Sequence, residues 1–218
     1  MWRGVTPKML SLAVQHLAGN KFNELYPPEP ELSEEEEDVL TIEEKKERFL
    51  KITLRDIACK ITCVMVSQPL QVIAVRSMAE FVGGEEKFSG GLTAGICSGA
   101  ISILNENGIL GFWSGVIPRI LGEVGILGLT ASITFIVNNY LIQDKEMSQY
   151  TGHVAGFLAG SLCYPLQVTA TCMTVSRSGL MAGYPPNMPL YTGWVDCLSH
   201  LRSQGQLNRG SSLICRYW

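Results

Sequence analysis

The chain has 218 residues, with 17 Lys+Arg against 20 Asp+Glu. Only 17% of residues are charged, 46% are hydrophobic, and the mean hydropathy is +0.17. That composition excludes a disordered chain, a collagen and an ordinary charged surface enzyme, since an average soluble domain is about a quarter charged. Charge is also unevenly placed. Eleven acids and two bases lie between Glu24 and Glu47, so that stretch carries −9 and the remainder carries +6.

In chain order, Val5 to Gly19 is expected to be a short helix, and Asn20 to Arg48 an exposed acidic linker in which Pro27, Pro28 and Pro30 bar regular structure. Arg55 to Phe81 reads as a membrane span kinked at Pro69, and Thr93 to Glu106 as a helix lying at the interface. Pro118 to Ile142 reads as the next span, with a proline suited to a first helical turn. Tyr150 to Ser176 reads as another, broken near Pro165, and Gly193 to Ser203 as a last interfacial helix. The basis is the absence of charge: Met147 to Ser176 and Val124 to Gln143 hold no Asp, Glu, Lys or Arg. About 20 predominantly apolar residues cross a bilayer. The fold class expected is therefore an all-α membrane protein.

The chain repeats itself. Trp2-Arg3-Gly4-Val5-Thr6-Pro7-Lys8-Met9-Leu10 aligns with Trp113-Ser114-Gly115-Val116-Ile117-Pro118-Arg119-Ile120-Leu121, sharing Trp, Gly, Val, Pro and Leu. Ser67-Gln68-Pro69-Leu70-Gln71-Val72 aligns with Cys163-Tyr164-Pro165-Leu166-Gln167-Val168, and Phe88-Ser89-Gly90 with Tyr191-Thr192-Gly193. Asn107-Gly108 then faces Gln204-Gly205, and Ser114-Gly115 faces Arg209-Gly210. The landmarks keep their order at a period of about one hundred residues, the signature of a repeated supersecondary unit. Each unit reads as two membrane helices joined by a short interfacial helix.

These motifs resemble the mitochondrial carrier superfamily, whose repeat runs Pro-x-acid-x-x-base-x-base, then acid-Gly, four residues, and aromatic-base-Gly. Pro69, Gly108, Trp113, Gly115, Pro165, Gly205 and Gly210 fall on its uncharged landmarks. Gln71 and Gln167 stand where its acids do, Ala74 and Ala170 replace its first bases, and only Arg76 keeps a later base, its counterpart being Cys172. In the family those charges close one side of a transport cavity, so alternating access is expected to be lost. Phe112 to Leu121 and Met181 to Asp196 are similar to a divergent branch, the mitochondrial carrier homologue proteins. The resemblance divides the chain into the end of carrier repeat one (1–19), an acidic linker (20–50), repeat two (51–145) and a truncated repeat three (146–218). It implies a carrier-like bundle that is incomplete, with about four spans and with the first and sixth helices missing. It also implies residence in the outer mitochondrial membrane as a multi-pass protein and contact with membrane lipid. The clients implied are tail-anchored and other α-helical membrane proteins, with docking of the pro-apoptotic protein Bid. A solute carrier and a non-functional truncated scaffold are the alternative functions.

The candidate groove residues are ionisable groups in apolar segments, where a charge costs about 2.5–3.5 kcal/mol even on insertion scales. Arg119 and Glu123, four apart on one helix face, are expected to line the groove or to pair with each other. Arg76 and Glu80 repeat that spacing. Gly152, Gly156 and Gly160 are a four-residue stripe suited to close helix packing. The acidic run Glu34 to Asp38 reads as a solvated linker. Seven cysteines without framework spacing read as buried small side chains rather than disulfides or a zinc site. With no phosphate loop, nucleophile elbow or metal-binding histidine motif, no catalytic, cofactor or metal site is expected. No basic, aromatic-studded stripe points to nucleic acid.

Overall fold

A computed structural model describes residues 4–30, 41–85, 94–140, 145–208 and 210. Trp2, Phe88-Ser89-Gly90, Arg209 and the run Glu34 to Asp38 lie outside the described residues. The described structure is α-helical: α1 (Val5–Leu25), α2 (Ile42–Gly83), α3 (Ala94–Asn107), α4 (Val116–Tyr140), α5 (Lys145–Val175) and α6 (Trp194–Ser203), with 3-10 turns at Ile109–Trp113 and Met181–Gly183.

Two helices reach into the expected linker. Helix α1 continues six residues past Gly19, and α2 begins at Ile42 rather than near Arg55. A capping box starts α2: the Thr41 side chain accepts from the backbone of Glu44, and Glu44 Oε2 accepts from Thr41 N–H at 2.9 Å. Glu43 and Glu44 in its first turn favour the positive end of the helix dipole. A dense charge run therefore became a polar helical extension. Gly84, in left-handed backbone at φ 68°, ends α2. Its 42 residues extend about 63 Å, twice a hydrocarbon core of about 30 Å. Pro69 and Pro165 each remove one backbone bond, yet both lie inside continuous helices; the expected break near Pro165 is absent.

The helices pack in sequence, α1 on α2, α2 on α4 and α4 on α5, while α6 covers α5 and α3 sits against the lower half of α2. Among the described residues no extensive contact joins α1 to α5, so the bundle is an arc. Phe49 stacks on Phe135 at 4.6 Å, pinning the early part of α2 to the late part of α4. Val72 and Ile73 of α2 bury Ile103 of α3, with Ile96, Ala100 and Phe112 packed around them.

Burial is inverted relative to a water-soluble bundle. Ser11, Ser67, Gln68, Arg76, Ser77, Glu80, Thr169 and Thr174 are buried, while Leu12, Leu17, Val66, Ile117, Leu121, Phe157 and Leu162 are exposed. In water that arrangement would leave long apolar faces hydrated and bury polar groups at cost; hydrocarbon around the outside reverses both penalties. Two helical stretches, Ile42–Gly83 and Ile109–Asn139, are long and apolar enough to cross a membrane. Only 6% of the most apolar window in the second is buried, so it is no soluble core helix. Helix α5, expected to be a span, falls short of that hydropathy, as does α1, expected to be a short helix.

The repeat is visible in the backbone. Gly4, Gly115 and Gly210 share positive φ (87°, 72° and 86°), as do Gly108 and Gly205 (66° and 67°). A Cβ on Gly4 would lie 3.1 Å from the carbonyl oxygen of Ala74, and one on Gly115 would lie 2.5 Å from that of Ala170. Ala74 and Ala170 are the two positions at which a carrier has its first base. Each proline helix thus receives the glycine turn of the preceding unit at the same place.

Candidate functional site: an open groove between three helices

Helices α1, α2 and α4 enclose a groove of about 510 Å³, open on one side, lined by Leu12, Gln15, His16 and Asn23 of α1, Arg55, Asp56, Cys59, Lys60 and Cys63 of α2, and Leu127 of α4. Gly19 of α1 faces α2 at this level; an added Cβ would sit at ordinary contact distance, 3.5 Å from Cys63 Sγ. The lining is mixed: amide and charged side chains of α1 and α2 stand beside Leu12, Leu127 and two cysteines.

Four polar ties descend along α2, over about 24 Å at 1.5 Å per residue. At the upper end Arg55 donates to the carbonyl of Tyr26 at 2.9 and 3.1 Å, to Asn23 Oδ1, and to Asp56 at 2.8 Å. Next, Lys60 Nζ pairs with Glu123 Oε2 at 3.0 Å, joining α2 to α4. Below that pair Arg119 donates to Gln68 Oε1 at 2.6 Å, and Gln68 in turn donates to the Ser114 carbonyl at 3.0 Å. Lowest, Lys8 donates to Gln71 Oε1 at 2.7 Å, while Ser11 donates to the Ser67 carbonyl. Gln68 and Gln71 are three apart and share a face of α2. Neutral amides on the central helix therefore hold cations from the helices on either side.

The expected pairing of Arg119 with Glu123 is replaced by two ties to α2. Arg119 takes Gln68, and Glu123 takes Lys60; both α4 residues stay half-buried against α2, below Leu127, the α4 residue that lines the groove. Arg76 and Glu80 leave the set of client-contact candidates, because each is 1% exposed. Arg76 instead pins three elements: it donates to the Thr174 carbonyl near the end of α5 at 3.1 Å and to Asn107 Oδ1 at 2.9 Å. A cation there also complements the negative end of the α5 dipole. Gln167, the counterpart of Gln71, meets no such cation; it packs beside Gly122 of α4. The two units have diverged at this point, since Arg119 is the counterpart of Lys8 but turns to Gln68.

Of the glycine stripe, only Gly156 faces a neighbour, Thr130 at 3.8 Å from an added Cβ; at Gly152 and Gly160 a Cβ would meet open space. The buried stripe of α5 is Thr151, Ala155, Ala159 and Cys163, one position earlier on the helix, with Cys163 Sγ 3.0 Å from a Cβ on Gly125. Trp113 is 37% exposed at the end of its 3-10 turn.

Lys8, Lys60 and Gln68 are site residues that the sequence reading missed. Lys8 was legible as the counterpart of Arg119, and Lys60 as a lone base in the apolar stretch after Ile57. Gln68 carried no such signal. A second cluster lies where α5 meets α6: Tyr191, Cys197 and Leu201 are buried against Val168, Cys172, Met173, Met188 and Leu207. There the hydrogen bond with Cys172, together with burial, pushes the Cys197 thiol up, and burial beside Cys197 and Cys172 pushes the Tyr191 phenol up to about 12. Among the described residues no cluster of three or more His, Cys, Asp or Glu is placed to hold a metal.

Residues 48–145 match the family model described as mitochondrial carrier protein. The chain is 33% identical to mitochondrial carrier homolog 2 of Mus musculus over 227 residues, covering 99% of this chain and 72% of that relative. It is 37% identical to mitochondrial carrier homolog 2 of Homo sapiens over 175 residues, covering 78% of this chain and 56% of the relative. Against mitochondrial carrier homolog 1 of Mus musculus identity is 32%, covering 99% of this chain and 59% of the relative. The chain thus spans little more than half the length of two of these three relatives. The chain belongs to the mitochondrial carrier homolog family and is a mitochondrial membrane protein.

Proposed function

We propose that this chain acts in the outer mitochondrial membrane as a multi-pass insertase and receptor for α-helical, tail-anchored proteins, with a docking role in apoptosis toward Bid. The observation that carries the reading is the open groove between α1, α2 and α4, which sets amide and charged side chains among apolar ones, in a bundle whose outer faces are apolar. A tail-anchored client must carry the polar residues behind its helix across hydrocarbon, where each unsatisfied polar group costs several kcal/mol. A groove lined by Gln15, Asn23, Asp56 and Lys60 offers those groups partners along the way, and its open side lets the client helix leave into lipid. The role is non-catalytic.

A solute carrier is the weaker reading. Gln71 and Gln167 are neutral where a carrier gate has acids, and Ala74 and Ala170 fill the positions of its first bases. The test is insertion of a tail-anchored reporter into mitochondria with and without this chain, scored by resistance to alkaline carbonate, beside counter-exchange by the chain reconstituted in liposomes. The reading expects chain-dependent insertion and no saturable exchange of nucleotide or carboxylate. The reverse pair of results would replace it with the carrier.

A further inference from the structure

We propose that Cys172 and Cys197 form a dithiol site for a peroxide, which oxidises the pair to a disulfide tying α6 to α5, with Tyr191 as the positioning residue for the second sulfur. The site is separate from the groove and does not rest on the insertase reading.

Packing brings the two thiols together from different helices. Cys172 lies one turn before the end of α5 and Cys197 in the first turn of α6, twenty-five residues further along the chain. Cys172 packs on the cluster of Tyr191, Cys197 and Leu201, and the two thiols share a hydrogen bond. Cys59 and Cys63 also touch, but as fourth neighbours on α2 their Cβ atoms stand about 5–6 Å apart. That exceeds the roughly 3.5–4.5 Å that a disulfide spans.

The pair is asymmetric, as a two-step oxidation needs. Cys172 is half-buried and reachable, whereas Cys197 is 0% exposed. The hydrogen bond with Cys172, then burial, holds the Cys197 thiol above its usual range, so Cys197 keeps its proton and donates it to the Cys172 sulfur. Cys172 is therefore the thiol that meets an oxidant. One contact acts in the other direction: the Tyr191 hydroxyl donates to the Cys197 sulfur and favours negative charge there. Gln204 donates an amide N–H to His200 Nε2 at 3.1 Å, which leaves the ring proton on Nδ1, 3.1 Å from the Tyr191 oxygen. The donors thus run in one chain from His200 through Tyr191 to Cys197, each strengthening the next.

In the first step the Cys172 sulfur attacks one oxygen of hydrogen peroxide. An S–O bond forms, the O–O bond breaks, and the departing hydroxide takes the Cys172 proton as water. In the second, the Cys197 sulfur, held by Tyr191, attacks the Cys172 sulfur. The S–S bond forms, the S–O bond breaks, and hydroxide leaves with the Cys197 proton as a second water. The thiol pair gives up two electrons and the peroxide takes them.

The test treats mitochondria bearing the full chain with hydrogen peroxide, denatures them in maleimide to block free thiols, and digests with trypsin. Between Cys172 and Cys197 trypsin has one site, after Arg177, so the two peptides stay joined only through the disulfide. The joined peptides should accumulate in the wild-type chain and separate on reduction. Cys197→Ser should instead hold Cys172 as a sulfenic acid that dimedone traps. Tyr191→Phe should leave the first oxidation at the wild-type rate and slow the disulfide by about tenfold, the worth of one hydrogen bond to a charged group, so that dimedone captures Cys172 there too. Peroxide that leaves both thiols free, or that carries Cys172 on to sulfinic acid with Cys197 still reduced, overturns the inference. Disulfide formation at the wild-type rate in Tyr191→Phe, or a faster first oxidation there from an undocked α6, overturns the part given to Tyr191.

Discussion

Lys60 and Glu123 meet across the groove at 3.0 Å, and that pair couples the middle of α2 to α4 at the level where the groove opens. Both side chains are about one third exposed (34% and 28%), so the pair lies between a surface bridge and a buried one. Removing either partner strands a half-buried charge. Lys60→Met and Glu123→Leu should each lower stability by about 1–2 kcal/mol, and the double variant should lose less than the two losses added. Thermal unfolding of the purified variants in detergent checks this; additive losses would mean that the pair is not coupled.

Gly115 is the tightest repeat landmark. A Cβ there would stand 2.5 Å from the Ala170 carbonyl and 2.8 Å from Thr174 Oγ1, in backbone at φ 72°. Gly115→Ala should cost at least about 2 kcal/mol and lower abundance in the membrane. Gly152→Ala, facing open space within a helix, should be neutral or slightly stabilising. Equal tolerance of both substitutions would mean that α5 does not pack on the Gly115 turn.

Arg76 is the buried pin of the lower half. Arg76→Met leaves the Thr174 carbonyl and Asn107 without their donor and should cost about 3 kcal/mol or more, as loss of one partner of a buried charge does. Its effect should be on abundance, with insertion per molecule unchanged, since Arg76 does not reach the groove. A loss of insertion at matched abundance would contradict that placement.

Much of the architecture was legible because apolar and charge-free runs follow from the membrane itself. Two of the helices, α4 and α5, fall largely on such runs, and the repeat landmarks recur as matched left-handed glycines. Helix ends were less legible. The charged residues from Glu43 to Lys51 resemble a linker by composition, and only the Thr41–Glu44 box marks them as a helix start. The site was harder still. Four-residue spacing put Arg119 beside Glu123, but spacing within one helix is silent about α2, whose Gln68 and Lys60 offered each of them another partner. The Gly152 stripe failed to mark the contact for a related reason: several faces of α5 carry small residues, and only packing shows that Ala155 and Ala159 are the buried ones.

The thiols offer an independent check on the described packing. Cys97 on α3 is exposed, whereas Cys197 is 0% exposed, with its pKa raised above the usual thiol value. A raised pKa keeps Cys197 protonated and unreactive through neutral and mildly alkaline pH, since the thiolate is the nucleophile. Maleimide at pH 7 should modify Cys97 in the folded protein and reach Cys197 only after denaturation; modification of Cys197 without unfolding would mean that α6 does not cover α5.

The central claim, that a client helix passes through the groove between α1, α2 and α4, is tested most directly by photocrosslinking during insertion. A photoreactive residue is placed at Gln15, which lines the groove, or at Ile136, which is 51% exposed on the outer face of α4. A tail-anchored reporter is then captured as it enters the membrane. The account predicts adducts from Gln15 that appear early and fade as insertion completes, with few from Ile136. Adducts from Ile136 alone, or equal yields from both positions throughout, would contradict it.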